Sequence, residues 1–220
     1  MGGRRYPETV PDPFALAFVP GVTPGKWIGV WKERMPLVPL EAMQVSPAGA
    51  ISALHDASAD VALVRLPVDG AGLSVIPLYE ERAVVVAPKD HVLEAFATVT
   101  AADLVDENRL DGQDAGTVEL VAAGLGVAVM PQSVARALSR RDVVSRIITD
   151  APTTRVALAW LDGNPDPLIQ EFIGIVRGRT ANSSRGEQAD PAAAEPRKPE
   201  PRKSVQKKGQ RPPKTRQRRR

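Results

Sequence analysis

The sequence predicts an α/β fold that contains a parallel sheet. Three observations predict it: short apolar runs alternate with helical patterns, prolines and glycines separate them, and the alternation opens with two β-α-β steps. An apolar run at 14–19 stops at Pro20 and leads into a helical pattern at 25–34, in which Trp27 and Trp31 share one face. Because β-α-β units join parallel strands through right-handed crossovers, the first three strands should lie in one sheet.

The same patterns predict the remaining elements in chain order. The run at 61–64 is continuously apolar, which is typical of a strand buried on both faces. Charged residues at 80–82 separate two later strands and indicate a connection into a second lobe. The further predicted strands are 37–45, 61–64, 73–78, 83–87, 125–130 and 155–161. The further predicted helices are 48–57, 100–106, 117–123, 132–138 and 166–178.

Capping and helix-breaking residues predict where the helices begin and end. Pro36 ends the first helix, Gly124 ends a helix of the second lobe, and Pro131 opens the helix that follows. Thr100 is expected to cap its helix by accepting backbone N–H groups, and Asp103 suits the positive end of that helix.

The positive charge of the chain is concentrated in residues 181–220. This segment has thirteen Lys or Arg residues against four Asp or Glu, a net +9, so residues 1–180 carry about −6 of the overall +3. Val205 is its one large aliphatic residue, and a segment this poor in apolar surface is predicted to be disordered. Any affinity for phosphate should therefore come from the tail.

The tail is predicted to contact nucleic acid weakly, without sequence preference and with a steep dependence on salt. No aromatic residue interleaves with its charges, so stacking on single-stranded bases is not expected. A solubilising or protease-sensitive extension is the alternative, and an anionic membrane surface is a third option. The residues expected to contact nucleic acid are Arg197, Lys198, Arg202, Lys203, Lys207, Lys208, Arg211, Lys214, Arg216, Arg218, Arg219 and Arg220.

Composition argues against several classes of function. The chain has no cysteine, which excludes disulfides, thiolate zinc sites and cysteine nucleophiles. His55 and His91 lie beside no plausible nucleophile, so neither an enzyme nor a metal site nor a cofactor is expected. No apolar stretch has the length of a signal peptide or of a membrane span, and we expect a cytoplasmic protein without membrane partners.

Four blocks of sequence, in this order, resemble the effector-binding domain of LysR-type transcriptional regulators. They are Phe18-Val19-Pro20-Gly21, the segment 58–64, the segment 77–91 with its Pro-Lys-Asp-His, and the segment 118–131, Val-Glu-Leu-Val-Ala-Ala-Gly-Leu-Gly-Val-Ala-Val-Met-Pro. The last block is the most specific. The resemblance extends from Phe14 to about Arg179.

The resemblance implies a fold like that of type II periplasmic binding proteins, with two α/β lobes, crossover strands and a small molecule held in the cleft. It also implies a homodimer, to which Trp27 and Trp31 would contribute if they are not core. The implied division is a leader at 1–12, an effector-binding domain at 13–180 with its first lobe at about 13–83 and 144–180 and its second at about 84–143, and the tail at 181–220.

The chain departs from the family pattern in two places. Only residues 108–116 separate two predicted helices where the family has a further strand and helix, so the second lobe is expected to be shortened. The winged helix-turn-helix of the family is absent, which indicates either a standalone domain or a misplaced start of the reading frame. An interaction or dimerisation module with a degenerate cleft is the alternative function.

The candidate ligand contacts follow strands or open helices. Backbone N–H groups after Pro20 favour an anion such as a carboxylate, Thr23 adds a hydroxyl, and Arg65 offers a bidentate guanidinium. The alternatives are helix caps for Thr23, Ser46 and Thr117, a salt bridge for Arg65, and a core position for Met130. The predicted contacts are Pro20, Gly21, Val22, Thr23, Ser46, Arg65, Thr117, Met130 and Pro131.

Overall fold

Two five-stranded sheets form the framework of the computed structural model, which describes residues 12–179. The predicted disordered tail at 181–220, and all of the predicted leader except Asp12, lie outside the described residues. The strands are β1 (Phe14–Phe18), β2 (Leu40–Gln44), β3 (Val61–Leu66), β4 (Leu73–Glu81), β5 (Ala83–Pro88), β6 (Thr98–Val99), β7 (Arg109–Leu110), β8 (Val127–Pro131), β9 (Val143–Ile148) and β10 (Thr154–Leu161). The helices are α1 (Gly25–Arg34), α2 (Pro47–His55), α3 (Ala115–Ala122), α4 (Gln132–Ala137) and α5 (Pro167–Val176), with 3₁₀ helices at Val92–Ala95 and Ala102–Leu104.

The first sheet has the order β2-β1-β3-β10-β4, and with α1, α2 and α5 it forms the first lobe. Strand β1 pairs in parallel with both β2 and β3, which confirms the two predicted β-α-β steps. Strand β10 follows the second sheet in the chain and lies antiparallel between β3 and β4 of the first. The carboxyl ends of β1, β2 and β3 therefore share one edge of this sheet, as the ligand prediction requires.

Aromatic side chains from three elements fill the core of the first lobe. The ring of Trp31 stacks on Phe14 with centroids 4.5 Å apart, and Phe172 of α5 lies 5.9 Å from Trp31. The indole Nε1 of Trp31 donates to the carbonyl of Val38 at 3.0 Å, so its polar atom is satisfied. Trp27 and Trp31 are both buried, so of the two roles left open by the sequence, core or dimer contact, the structure places them in the core.

The second sheet has the order β6-β9-β5-β8-β7, and with α3, α4 and the two 3₁₀ helices it forms the second lobe. Its faces bury separate clusters because side chains of β5 alternate between them. Val84 and Val86 pack with α3 and α4, whereas Val85 packs with Leu93 and Leu104 on the 3₁₀ side.

The structure corrects the prediction of a missing strand in the second lobe. Strand β7 lies in the stretch that the sequence assigned to a gap, and it pairs in parallel with β8. The second sheet therefore has as many strands as the first. The second lobe is shortened in the length of its strands, not in their number, since β6 and β7 have two residues each. Two residues are too few for an alternation of apolar and polar side chains to be recognised in the sequence.

Strand β9 was not predicted, and it moves the boundary between the lobes. The sequence places the return to the first lobe at about Val144, but residues 143–148 pair with β5 and β6 in the second sheet. Ser145 and Arg146 interrupt the apolar pattern of this strand. The Arg146 side chain lies against the end of the 3₁₀ helix at Val92–Ala95, where its guanidinium donates to the carbonyls of Glu94 at 2.6 Å and Phe96 at 2.5 Å.

Two predicted helix caps are wrong. The helix expected at 100–106 is a 3₁₀ turn, and Thr100 donates its N–H and hydroxyl to Asp103 Oδ2 instead of accepting from the helix. In the second lobe, Asp114 rather than Thr117 is the N-cap of α3, and its Oδ1 accepts from the Thr117 N–H at 2.8 Å. Hydrogen bonds from the backbone and the hydroxyl of Thr117 hold the pKa of the Asp114 carboxyl below its usual value.

Candidate functional site

Arg65 links the two lobes at the carboxyl end of β3. Its Nε donates to Glu81 Oε2 at 2.7 Å and one terminal nitrogen to the carbonyl of Pro20 at 2.6 Å, both in the first lobe. Its other terminal nitrogen donates to Ser133 Oγ of α4, in the second lobe, at 2.8 Å. One side chain therefore joins the β1–α1 loop, the end of β4 and the start of α4.

The charge of Arg65 is compensated within the protein. The side chain of Arg65 is 14% exposed and that of Glu81 only 6%, so the ion pair is largely removed from water. The sequence left open a salt bridge or a ligand contact for Arg65, and the salt bridge is present. The formal charge that would attract an anionic ligand must therefore come from other side chains.

At Gly21, the β1–α1 loop of the first lobe lies against α4 of the second lobe. This residue has a φ of +81°, and a Cβ built on it would lie 2.7 Å from the Val134 N and 2.8 Å from Ser133 Oγ. Any side chain there would have to push α4 away or distort the loop. Gly21 thus permits the contact between the β1–α1 loop and α4.

Two cavities flank this contact and share part of their walls. The first, of about 550 Å³, is lined by Gly21, Thr23, Lys26, Trp27, Tyr79, Glu80, Glu81, Arg82, Gln132, Ser133 and Arg136. The second, of about 710 Å³, is lined by Phe18, Gly21, Val22, Thr23, Pro24, Gly25, Ile28, Ala42, Gln44, Ser133, Arg136 and Ala137. Because α1 and the β1–α1 loop face α4 across both cavities, we call them together the inter-lobe cavities.

Positive charge is in excess around the inter-lobe cavities. The carboxylates there are already engaged, Glu80 by Arg155 at 2.9 Å and Glu81 by Arg65. Within the described part of the chain, the side chains of Arg82 and Arg136 take part in no ion pair or hydrogen bond. Two uncompensated guanidinium groups beside a cavity favour an anion.

Aromatic side chains add to the wall of the first inter-lobe cavity. The Lys26 Nζ lies 4.8 Å from the ring centroid of Trp27, at the distance of a cation–π contact. Burial raises the pKa of the Tyr79 hydroxyl, and the Glu81 carboxylate adds to the increase. Tyr79 consequently remains a neutral hydrogen-bond donor at physiological pH.

The structure gathers part of the predicted site and separates the rest. Gly21, Val22 and Thr23 line the inter-lobe cavities, and the carbonyl of Pro20 accepts from Arg65. Ser46 caps α2, its Oγ accepting from the Gly49 N–H at 3.0 Å, which is its alternative role.

The predicted contacts of the second lobe lie elsewhere. Thr117 is only 5% exposed, and its hydroxyl bonds within the lobe, to Asp114 Oδ1 at 2.9 Å. Met130 and Pro131 line a separate cavity of about 350 Å³. Ligand contacts by Thr117, Met130 and Pro131 remain predictions. The geometry does not support a ligand contact by Thr117, because its side chain is buried and bonded within the second lobe.

Sequence reasoning missed the residues that α4 contributes. Ser133 and Arg136 are three apart and therefore share one face of the helix, directly after the proline that ends β8. That spacing was visible in the sequence. What was not visible is that this face meets the β1–α1 loop of the other lobe.

Residues 12–179 contain neither a cluster of metal-ligating side chains nor a membrane-spanning helix. No group of three or more His, Cys, Asp or Glu side chains is arranged there to hold a metal ion. None of the helices in this range has the length and apolar character needed to cross a bilayer.

Comparison with known proteins identifies the family. A family model described as the LysR substrate binding domain matches residues 11–116 and 112–181, most of the chain. The chain belongs to the LysR substrate-binding domain family. This confirms the resemblance drawn from the four sequence blocks.

Curated relatives of this LysR-type domain are transcriptional regulators. The Hca operon transcriptional activator HcaR of Escherichia coli is 25% identical over 200 residues, which cover 76% of this chain and 68% of that protein. A probable hydrogen peroxide-inducible genes activator of Mycobacterium leprae is 26% identical over 158 residues, 58% of this chain and 51% of that protein. The chain thus spans between half and about two thirds of the length of these relatives.

Solved structures share the fold of the LysR-type domain. The BenM effector binding domain with its effector benzoate aligns with a TM-score of 0.65 at 18% identity, over 86% of this chain and all of that one. The reduced OxyR regulatory domain from Pseudomonas aeruginosa aligns with a TM-score of 0.61 at 21% identity, over 77% of this chain and 99% of that one. The predicted two-lobed fold is confirmed.

Proposed function

We propose that this domain senses a small anionic metabolite, a carboxylate in the simplest case, held in the inter-lobe cavities. The observation that carries the proposal is the position of Arg136, which lines both cavities and has no ionic partner among the described residues. A carboxylate could accept from the Arg136 guanidinium and from the hydroxyl of Thr23. The BenM domain, a structural relative, is described with benzoate, itself a carboxylate.

Binding would be passed on through the relative position of the lobes. Thr23 and Lys26 belong to the first lobe and Ser133 and Arg136 to the second, so a ligand that contacts both sets binds best in one arrangement of the lobes. Such differential affinity shifts the protein toward that arrangement. We expect a cytoplasmic homodimer, as for a transcriptional regulator. In such a dimer, a change in the relative position of the lobes would alter the relative position of the two subunits.

The first test is ligand-induced stabilisation by small carboxylates. We expect benzoate or another member of a panel of mono- and dicarboxylates to raise the melting temperature by mass action, while the matched amides, such as benzamide, do not. Differential scanning fluorimetry measures the shift. If no carboxylate raises the melting temperature more than its amide, the cavities hold no anion and the alternative function, an interaction module with a degenerate cleft, gains support.

Replacing Arg136 with alanine should weaken binding of the carboxylate that stabilises the domain by about 10- to 100-fold, the usual effect of losing a hydrogen bond to a charged group. Isothermal titration calorimetry measures the dissociation constant. Arg141→Ala is the matched control, because Arg141 is also an exposed arginine of the second lobe but lines neither inter-lobe cavity. Equal affinities of the Arg136 and Arg141 variants would contradict the proposed site.

We further propose that the basic tail gives the domain a loose, sequence-independent hold on nucleic acid. Deleting residues 181–220 should abolish an electrophoretic shift of duplex DNA at low salt. If about half of the thirteen positive charges contact phosphates, the logarithm of the affinity of the full chain should fall with the logarithm of salt concentration with a slope near −6. A shift that survives the deletion, or one that depends on DNA sequence, would overturn this proposal.

A further inference from the structure

The first inter-lobe cavity carries more positive charge than one carboxylate needs. Lys26, Arg82 and Arg136 all line this cavity of about 550 Å³, whereas Arg136 also lines the second. None of these three side chains forms an ion pair within residues 12–179. The carboxylates of the same wall are already paired with other arginines. A single carboxylate at Arg136 would therefore leave Lys26 and Arg82 uncompensated.

Arg82 and Arg136 reach the cavity from opposite ends of α4. The backbone carbonyl of Arg82 accepts from the N–H of Gln132, the first residue of α4, at 2.9 Å. Arg136 comes one helical turn after Gln132, which corresponds to a rise of about 6 Å along the helix axis. The two arginines are thus attached about one turn apart, a separation that suits two anionic groups on one small molecule.

Further hydrogen-bond donors accompany Arg82. Tyr79 and Lys26 line the first inter-lobe cavity but not the second. An ionised carboxylate only accepts hydrogen bonds, so a phenolic hydroxyl, an ammonium group and a guanidinium are all suitable partners for it. The wall around Arg82 therefore offers a second carboxylate both charge compensation and donors.

We infer that the ligand of the inter-lobe cavities carries two separate acid groups and is a short dicarboxylate. One carboxylate would bind Arg136 and Thr23 where the two cavities meet, and the other would bind Arg82 in the first cavity. The volume of this cavity lies in the usual range for small-molecule sites. The inference rests on the proposed function and narrows its class of ligand from carboxylates in general to dicarboxylates.

The second acid group would act directly on a connection between the lobes. Arg82 is the single residue between β4 of the first sheet and β5 of the second. A ligand held by Arg82 at one end and by Thr23 at the other ties this crossover to the β1–α1 loop. A dicarboxylate should therefore favour one arrangement of the lobes more strongly than a monocarboxylate does.

Succinate, glutarate and adipate are the probes, each compared with its monoamide, which has the same length and a single charge. Isothermal titration calorimetry of the intact chain, in a buffer without phosphate, should show at least one dicarboxylate binding about 10- to 100-fold more tightly than its monoamide, as expected for a hydrogen bond to a charged group. Arg82→Ala should bring the two ligands within about threefold of each other.

Arg141→Ala is again the control and should leave the ratio of the two affinities unchanged, because Arg141 lines neither cavity. A structural defect caused by Arg82→Ala would weaken both ligands alike, so the ratio separates it from the loss of a ligand contact. The backbone hydrogen bond between Arg82 and Gln132 does not involve the replaced side chain.

Three results would overturn the inference. They are a wild-type ratio near one, a ratio that Arg82→Ala leaves unchanged, and tighter binding of inorganic phosphate than of every dicarboxylate, since both arginines would then serve one anionic group. In the first two cases, monoamides that bind through Arg136 would leave the proposed function standing. If dicarboxylates, monoamides and benzoate all fail to bind, the inference and the proposed function fail together.

Discussion

Replacing Trp31 with alanine is expected to lower the free energy of unfolding by about 3 to 5 kcal/mol. The side chain is fully buried, stacks on Phe14 and meets Phe172, so its removal leaves a cavity among three elements. It also leaves the carbonyl of Val38 without its indole donor. Since domains of this size are stable by about 5 to 15 kcal/mol, the variant should be at the edge of unfolding at 37 °C.

Urea denaturation followed by circular dichroism measures this effect without relying on the fluorescence of the replaced residue. Trp31→Phe is the matched control, because phenylalanine keeps a ring beside Phe14 and loses mainly the hydrogen bond and part of the volume. We expect its loss to be clearly smaller than that of the alanine variant. An alanine variant within about 1 kcal/mol of the wild type would show that the aromatic cluster is not the core of the first lobe.

Replacing Glu81 with alanine is expected to cost about 3 to 5 kcal/mol, because it leaves Arg65 as an uncompensated, largely buried charge. Replacing both partners, by Arg65→Met and Glu81→Leu together, should recover much of the loss, since two apolar side chains need no ionic partner. Urea denaturation of the two single variants and the double variant gives the coupling free energy between them.

The neighbouring ion pair provides the matched control. Glu80 and Arg155 are joined by a bond of similar length, 2.9 Å, but both side chains are more than half exposed. Glu80→Ala should therefore cost less than about 1 kcal/mol. If Glu81→Ala costs no more than Glu80→Ala, the Arg65–Glu81 ion pair contributes nothing beyond an ordinary surface contact.

The first lobe was largely predictable because its signals are local. The helix at 25–34 matches α1 to the residue, and β1 and β3 follow from continuous apolar runs. The pairing of β10 between β3 and β4 was not predictable from such runs. It depends on a return of the chain after about seventy residues, which no local pattern encodes.

The second lobe and the site were harder to predict for physical reasons. Strand β9 contains Arg146, whose hydrogen bonds to Glu94 and Phe96 replace the solvation that a charged residue normally requires. The role of Arg65 depends on Glu81 and Ser133, which lie 16 and 68 residues further along the chain. The residue type was enough to identify Arg65 as important, but only the three-dimensional arrangement shows that its charge is already compensated.

The insertion of β10 into the middle of the first sheet has a consequence for biosynthesis. All strands of the second sheet have been made once Ile148 leaves the ribosome, whereas β3 and β4 cannot be joined until residues 154–161 follow. We therefore expect the second lobe to fold before the first. Until β10 is made, the first lobe should remain an incomplete intermediate that aggregates easily, because the edges of β3 and β4 are unpaired. A nascent chain that stalls between these two points should be a preferred client of chaperones.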